Sequence, residues 1–208
     1  MTATDTATVW MIDADGWCRS TRRADCTNFD TRPEGAEIGL LVIHNISLPP
    51  GEFGGPYIED LFANRLDCDA HPYFDQLRGL RVSAHFLIRR DGVAVQFVST
   101  LDRAWHAGVS SFDGRERCND FSVGIELEGS DVAGFCDAQY RTLAALTQAL
   151  CLRHPIFAVR GHEHIAPGRK TDPGPHFDWT RFQRDLAALQ NAARPSLSES
   201  ARPFSFPT

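Results

Sequence analysis

Hydrophobic and polar positions alternate along this chain with different periods, and the periods predict its elements. Residues 39–46, GLLVIHNI, are an almost continuous apolar run between Gly39 and the Pro49-Pro50-Gly51 break, too short for a helix. This predicts a strand buried on both faces. Residues 121–129, FSVGIELEG, alternate strictly, with Phe121, Val123, Ile125 and Leu127 on one face and Gly124, Glu126 and Glu128 on the other. Residues 82–90 and 93–99 flank Asp91-Gly92, which predicts a β-hairpin with a type I′ turn. A short strand is expected at 157–160. Helical spacing appears over 137–153, with Tyr140, Leu143, Ala144, Thr147, Leu150 and Cys151 on one stripe and Asp137 as N-cap. It recurs after Asp178, where Trp179, Phe182, Leu186 and Leu189 share a face. Pro56 at a first helical position predicts a short helix over 56–64. Residues 10–37 read as an irregular extended wrap, 49–55 as a loop, and 66–80 as a second loop in which His71 has no assigned role.

Strand segments interspersed with helices give a mixed α/β fold, a central mixed sheet of about five or six strands with helices packed against it. One domain over 1–191 is expected, frayed at 1–9, followed by a Ser/Pro-rich, disordered tail over 192–208. The composition agrees: 208 residues, 42% hydrophobic and 23% charged, are enough for one sizeable core. A net charge of −6 with no Lys/Arg-rich run argues against a nucleic-acid partner. Neither an export signal nor an apolar run of about 20 residues is present, so the expected address is the cytoplasm, without a membrane partner. The six cysteines form no C-x-x-C pattern and read as reduced thiols.

The candidate chemistry gathers in residues 159–175, VRGHEHIAPGRKTDPGP, too rich in Gly and Pro for a regular helix. A catalytic zinc takes three protein ligands and keeps one position open. His44 at the mouth of the first buried strand, His162 at the end of the short strand and Asp172 in the following loop would make such a His/His/carboxylate set. His162 with His164 is an alternative pair, provided the backbone there is extended. Two carboxylates on one face of an apolar strand invite two readings. They belong either to a solvated face or, at Glu126, to a general base on a rigid element. Lys170, two residues before Asp172, could stabilise an oxyanion. His85 reads as a buried, hydrogen-bonded side chain lining the site, and Trp105 beside His106 either as core or as a sugar or peptide wall. Together these are parts of a zinc amide hydrolase.

Several blocks carry a resemblance: HNISLPPGEFGG (44–55), SAHFLIRRDG (83–92), AWHAG (104–108), GRERCNDFSVGIELEG (114–129) and KTDPGP (170–175). They closely resemble the N-acetylmuramoyl-L-alanine amidase family, in its cytoplasmic branch specific for 1,6-anhydro sugars. That family shares its fold with peptidoglycan recognition proteins. The resemblance runs from about residue 16 to 189. It implies zinc on His44, His162 and Asp172, a catalytic carboxylate at Glu126, and an oxyanion-pocket lysine at Lys170. The implied reaction is hydrolysis of the amide between 1,6-anhydro-N-acetylmuramic acid and L-alanine of a stem peptide during cell-wall recycling. The expected partner is the anhydro-muropeptide substrate, with no protein partner and a monomeric chain. Because stem peptides carry carboxylates, Arg81 and Arg117 become candidate clamps, and Asn45 and Trp105 candidate peptide and sugar contacts. The chain departs from the family pattern at Glu163-His164, where a smaller or amide-type pair is expected, and in its longer tail. A non-catalytic peptidoglycan-binding module and an amidase acting on intact wall are the alternative readings.

Overall fold

The computed structural model describes residues 9–192 and 204–207. Among the described residues, ten strands and four α-helices follow in chain order: β1 (Arg22–Arg23), β2 (Phe29–Thr31), β3 (Leu40–Ile46), α1 (Tyr57–Phe62), β4 (Phe86–Ile88), β5 (Ala94–Gln96), β6 (Asp102–Ala104), β7 (Ser111–Phe112), β8 (Arg115–Glu116), β9 (Ser122–Glu128), α2 (Asp137–Arg153), β10 (Ala158–Gly161), α3 (His162–Ile165) and α4 (Trp179–Ala192). Six strands make the central sheet in the order β1-β5-β4-β9-β3-β10, a mixed α+β architecture as expected. Its centre is parallel, β4 with β9, β9 with β3 and β3 with β10, while β4 and β5 form the antiparallel hairpin.

The apolar run of β3 divides between two faces. Leu41 and Ile43 join Val123, Ile125 and Leu127 of β9 in a core closed by Leu143, Leu146 and Leu150 of α2 and by Phe182 and Leu186 of α4. Leu40 and Val42 point the other way, into a smaller cluster with Ala107, Cys118, Phe121 and Ile165. His44 is next on that second face, and the parallel register sets it beside Glu126 of β9. Helices α2 and α4 therefore cover one side of the sheet, while α1 and α3 pack on the other. Polar chemistry collects on that second side, at the carboxyl ends of parallel strands.

Several local expectations change. In the hairpin only Gly92 has positive φ (+87°), its N–H donates to Arg89 O, and Arg89 N–H donates to Val93 O. This three-residue loop with a glycine bulge replaces the type I′ turn. Cys136, not Asp137, is the N-cap of α2, and its backbone N–H donates to Gln139 Oε1 at 2.9 Å. Asp137 instead pairs with Arg181 at 2.7 Å. The loop at 66–80 contains a 3-10 helix, Pro72–Leu77, whose N-cap is His71. The wrap at 10–37 contributes two short strands and buries Arg32, whose guanidinium donates to carbonyls of Thr100, Asn119, Asp120 and Ser122. Glu128 is buried, not solvated: Arg89 lies 3.0 Å from Oε1, and the N–H groups of Gly54 and Arg90 donate to its carboxylate. All six cysteines are free thiols. No helix among the described residues is long and apolar enough to cross a membrane.

The tail expectation is partly corrected. Residues 1–8, 193–203 and 208 lie outside the described residues, so fraying at the N-terminus and disorder over most of the tail are not addressed. Phe204–Pro207, however, docks on the sheet: Ser205 bridges Ala158 of β10, and Phe204 and Phe206 pack on the main core.

Candidate active site

Three ligand-type atoms converge on the second face of the sheet. His44 Nδ1 lies 3.0 Å from His162 Nδ1, and Asp172 Oδ2 lies 2.9 Å from the first and 3.1 Å from the second. β3 carries His44, the β10–α3 junction carries His162, and the loop beyond α3 carries Asp172, with Asp172 O accepting from Glu163 N–H at 2.9 Å.

The hydrogen bonds behind the imidazoles fix their tautomers. Ser122 Oγ–H donates to Cys118 O at 2.6 Å, so its oxygen accepts from His106 Nε2–H at 3.2 Å. His106 Nδ1 then accepts from His44 Nε2–H at 3.0 Å, which leaves a lone pair on His44 Nδ1. His162 Nε2–H donates to Ala107 O at 3.0 Å, with the same result at its Nδ1. Two imidazole lone pairs and a carboxylate oxygen thus meet at about hydrogen-bond distance with no proton of their own to share. Such a group calls for a cation, and the three residues form a candidate metal site. Electrostatics prepares them for it. Burial pushes His44 down to about 4, so its ring is neutral.

Glu126 faces the same space. Its Oε2 is buried and has no hydrogen-bond partner. Burial first, and then the Asp172 charge, push its carboxyl well above the ordinary value, with Lys170 pulling the other way. A carboxyl with that bias is suited to accept and return a proton near neutrality. Lys170 is exposed and lines the cleft. The cleft encloses about 320 Å³, with Leu61, Phe62, Tyr73 and Trp105 as apolar walls and His44, Glu126, His162 and Asp172 at the polar end. A shallower groove of about 660 Å³ continues from it past Asn45, Ser130, Asp131, Arg169 and Thr171.

The remaining candidates are not all gathered here. Asn45 lines the cleft, but its amide already donates to Asp131 Oδ1 at 2.7 Å and Pro173 O at 3.1 Å. Arg81 is exposed between the cleft-lining Leu80 and Val82, and is not itself a lining residue. Arg117, with left-handed backbone (φ +61°), lines a different groove beside Ile165 and Arg169. His164 does not chelate with His162. Residues 162–165 are helical, and His164 turns away to accept from Gly161 N–H and to meet the edge of Trp179. His85 is fully buried, its Nδ1 accepting from Gly124 N–H and its Nε2 donating to Asp102 O, the structural role expected of it.

Sequence reading missed His106. The signal available was Gly124, an isolated glycine inside an apolar strand, which marks a close approach. A Cβ there would lie 2.5 Å from the His106 ring. Asp131 was also missed: its second oxygen accepts from Thr171 Oγ1 at 2.5 Å, so one carboxylate ties Asn45 of β3 to the loop between Lys170 and Asp172.

Comparison with known proteins agrees with this geometry. The family model described as N-acetylmuramoyl-L-alanine amidase matches residues 34–175. The 1,6-anhydro-N-acetylmuramyl-L-alanine amidase AmpD of Citrobacter freundii is 59% identical over 175 residues, covering 83% of this chain and 94% of that protein. The crystal structure of a selenomethionine derivative of AmpD superposes with a TM-score of 0.82 at 58% identity, covering 85% of this chain and 99% of that one. A complex of the Escherichia coli amidase AmiD with the substrate anhydro-N-acetylmuramic acid-L-Ala-D-γ-Glu-L-Lys matches at a TM-score of 0.54 and 29% identity, covering 84% and 65%. With the human recognition protein PGRP-Iβ, at 16% identity, a TM-score of 0.54 and coverage of 77% and 93%, only the fold is shared. With the family model spanning both histidines and Asp172, this chain belongs to the N-acetylmuramoyl-L-alanine amidase family.

Proposed function

We propose that this chain is a zinc-dependent amidase of cytoplasmic cell-wall recycling. It would cleave the amide between the lactyl group of 1,6-anhydro-N-acetylmuramic acid and L-alanine of the stem peptide. The observation that carries the reading is the unpartnered buried oxygen of Glu126 facing two imidazole lone pairs and the Asp172 carboxylate in one cleft. A recognition module has no use for that arrangement. The substrate class rests on the AmpD relatives and on the AmiD complex with an anhydro-muropeptide.

His44 Nδ1, His162 Nδ1 and Asp172 Oδ2 would hold the Zn²⁺. Their separations of 2.9–3.1 Å come close to the about 3.3 Å edge of a tetrahedron with bonds near 2.0 Å. When bound, the ion supplies a Lewis acid and lowers the pKa of water toward 7. Glu126 takes the proton of the attacking water and returns it to the alanine nitrogen as the C–N bond breaks, so water is consumed and one carboxylic acid and one amine leave. Lys170 steadies the negative charge that develops on the carbonyl oxygen. Trp105 offers a flat wall for the sugar, and Asn45 holds the peptide side of the cleft. Arg81 and Arg117, both exposed, would pair with stem-peptide carboxylates. The protein acts as a monomer.

The test uses purified protein of measured zinc content. Release of peptide from anhydro-muramyl tripeptide is followed in parallel with intact peptidoglycan, each with and without chelator. Chelator-sensitive cleavage of the small anhydro substrate alone is the expected result. Tight binding without cleavage of either, at full zinc occupancy, would establish a recognition module instead.

A further inference from the structure

β10 is the last strand of the central sheet, yet its outer side is covered. Phe157 O accepts from Ser205 N–H at 2.8 Å, and Val159 N–H donates to Ser205 O at 2.9 Å. Val159 O accepts from Arg160 Nη1 at 2.7 Å, and Gly161 N–H donates to His164 Nδ1 at 2.9 Å. His164 thus closes the end of this edge. Arg160 reads the docked serine twice, Nη1 to Ser205 O at 2.9 Å and Nη2 to Ser205 Oγ at 2.8 Å. Phe206 meets the edge of Phe182 of α4 at 5.7 Å between centroids, and Phe204 packs against Phe206 at 5.2 Å. Main-chain pairing at a sheet edge, side-chain recognition by an arginine and an aromatic anchor are the components of peptide capture by strand addition.

We propose that the outer edge of β10, with Arg160 and Phe182, is a binding site for an extended aromatic–serine–aromatic–proline peptide. Its resident occupant is the chain's own Phe204–Pro207, docked in cis as an added parallel strand. The 11 residues between Ala192 and Phe204 tether the segment to α4. Because the segment belongs to the same chain, its docking is intramolecular, so a modest intrinsic affinity keeps the site filled. Filling it hides the Val159 N–H and Phe157 C=O that an uncovered edge would offer to the sheet of a second copy. It also braces the strand that runs directly into His162. The inference does not depend on the amidase reading.

The experiment is made on the full-length chain. In wild type, exchange of the Val159 amide proton is slow and a fluorescent peptide of residues 201–208 finds no open site. The double variant Phe204→Ala/Phe206→Ala should accelerate Val159 exchange at least tenfold and leave the Leu41 amide of the sheet interior unchanged. It should also bind the labelled peptide at least tenfold more tightly than wild type does. Ser205→Pro, which removes the donor to Phe157 O and keeps both aromatics, serves as the second variant and should free the same amide. Adding Arg160→Ala to the double variant should weaken peptide binding at least fivefold. Val159 exchange identical to wild type in both variants, or no peptide binding by either, would overturn the site.

Discussion

Replacing Glu126 by Gln should raise the stability of this protein while destroying its turnover. In the metal-free chain Glu126 is half-buried with its Oε2 buried and unbonded, and burial and the Asp172 charge both disfavour its ionised form. The folded-state pKa therefore lies above the unfolded value of about 4.5. The folded state binds the proton more tightly, so that stabilisation is complete below 4.5, fades as pH rises, and is gone once pH passes the raised folded value. Wild type and Glu126→Gln should accordingly melt alike near pH 5 and diverge toward pH 8, with the variant higher. A buried group lacking partners costs about 1–3 kcal/mol, and an amide escapes only part of that, so a gain of roughly 1–2 kcal/mol is expected. For a chain of this size each kcal/mol moves Tm by about 2–4 °C, giving a gap of roughly 2–8 °C at pH 8.

The assay is a pair of melting curves on chelator-treated protein at half-unit steps from pH 5 to 9, repeated with zinc restored. Zinc should narrow the gap, because a cation beside Glu126 offsets the penalty of its charge. In the loaded enzyme kcat should fall by about 10²–10⁴, the usual contribution of a general base, with zinc content unchanged. A gap that is constant with pH, or one favouring wild type at pH 8, would refute the claim that Glu126 is held against ionisation. Full turnover by the variant would remove it from the mechanism.

Four further outcomes are expected. Asp172→Ala should lose zinc and activity together, checked by metal analysis of dialysed protein alongside the peptide-release assay. Gly124→Ala drives a Cβ to within 2.5 Å of the His106 ring. It should cost about 1–3 kcal/mol by overpacking and weaken zinc affinity about 10–100-fold in chelator competition, whereas Gly134→Ala, with open space around it, should stay within about 0.5 kcal/mol of wild type. Arg32→Ala strips the donors from four backbone carbonyls, and a loss of about 3 kcal/mol or more should show as a fall of roughly 6–12 °C in Tm. Arg117→Ala should raise KM for the full stem peptide more than for a substrate trimmed to its L-alanine, and equal effects on both would remove the clamp.

What the sequence revealed and what it hid follow from the range of the forces involved. β3, β9, α2 and α4 were legible because one-sided burial imposes a period on a single segment. Glu126 was legible for the same reason, since a carboxylate out of place on a periodic strand is visible without knowing its neighbours. Its counterpart Glu128 shows the limit. The two share a face of β9, but which one is ion-paired depends on Arg89, 39 residues away in the chain. Arg32 was hidden more deeply, because its partners are carbonyl oxygens, which every residue carries and no side-chain pattern marks. The docked tail was hidden by composition: Ser and Pro dominate the stretch after Ala192, and the alternation Phe204-Ser205-Phe206 that suits a strand spans only three residues.

His106, unlike His44 and His162, carries no mark in the sequence of what it does. A metal ligand can be proposed from residue type and from its place at a strand end. The residue that decides which nitrogen of that ligand is free can be proposed only from a hydrogen-bond chain with a fixed direction. Here the direction originates at Cys118 O, which accepts the Ser122 proton and so orients His106 and then His44. Reversing it would leave Cys118 O without that donor and put a proton on His44 Nδ1, where Asp172 would take it as a hydrogen bond and the cation site would close. The binding competence of the cleft is thus set three residues back from it, at a backbone carbonyl, and room for the chain to pass is made by the missing side chain of Gly124.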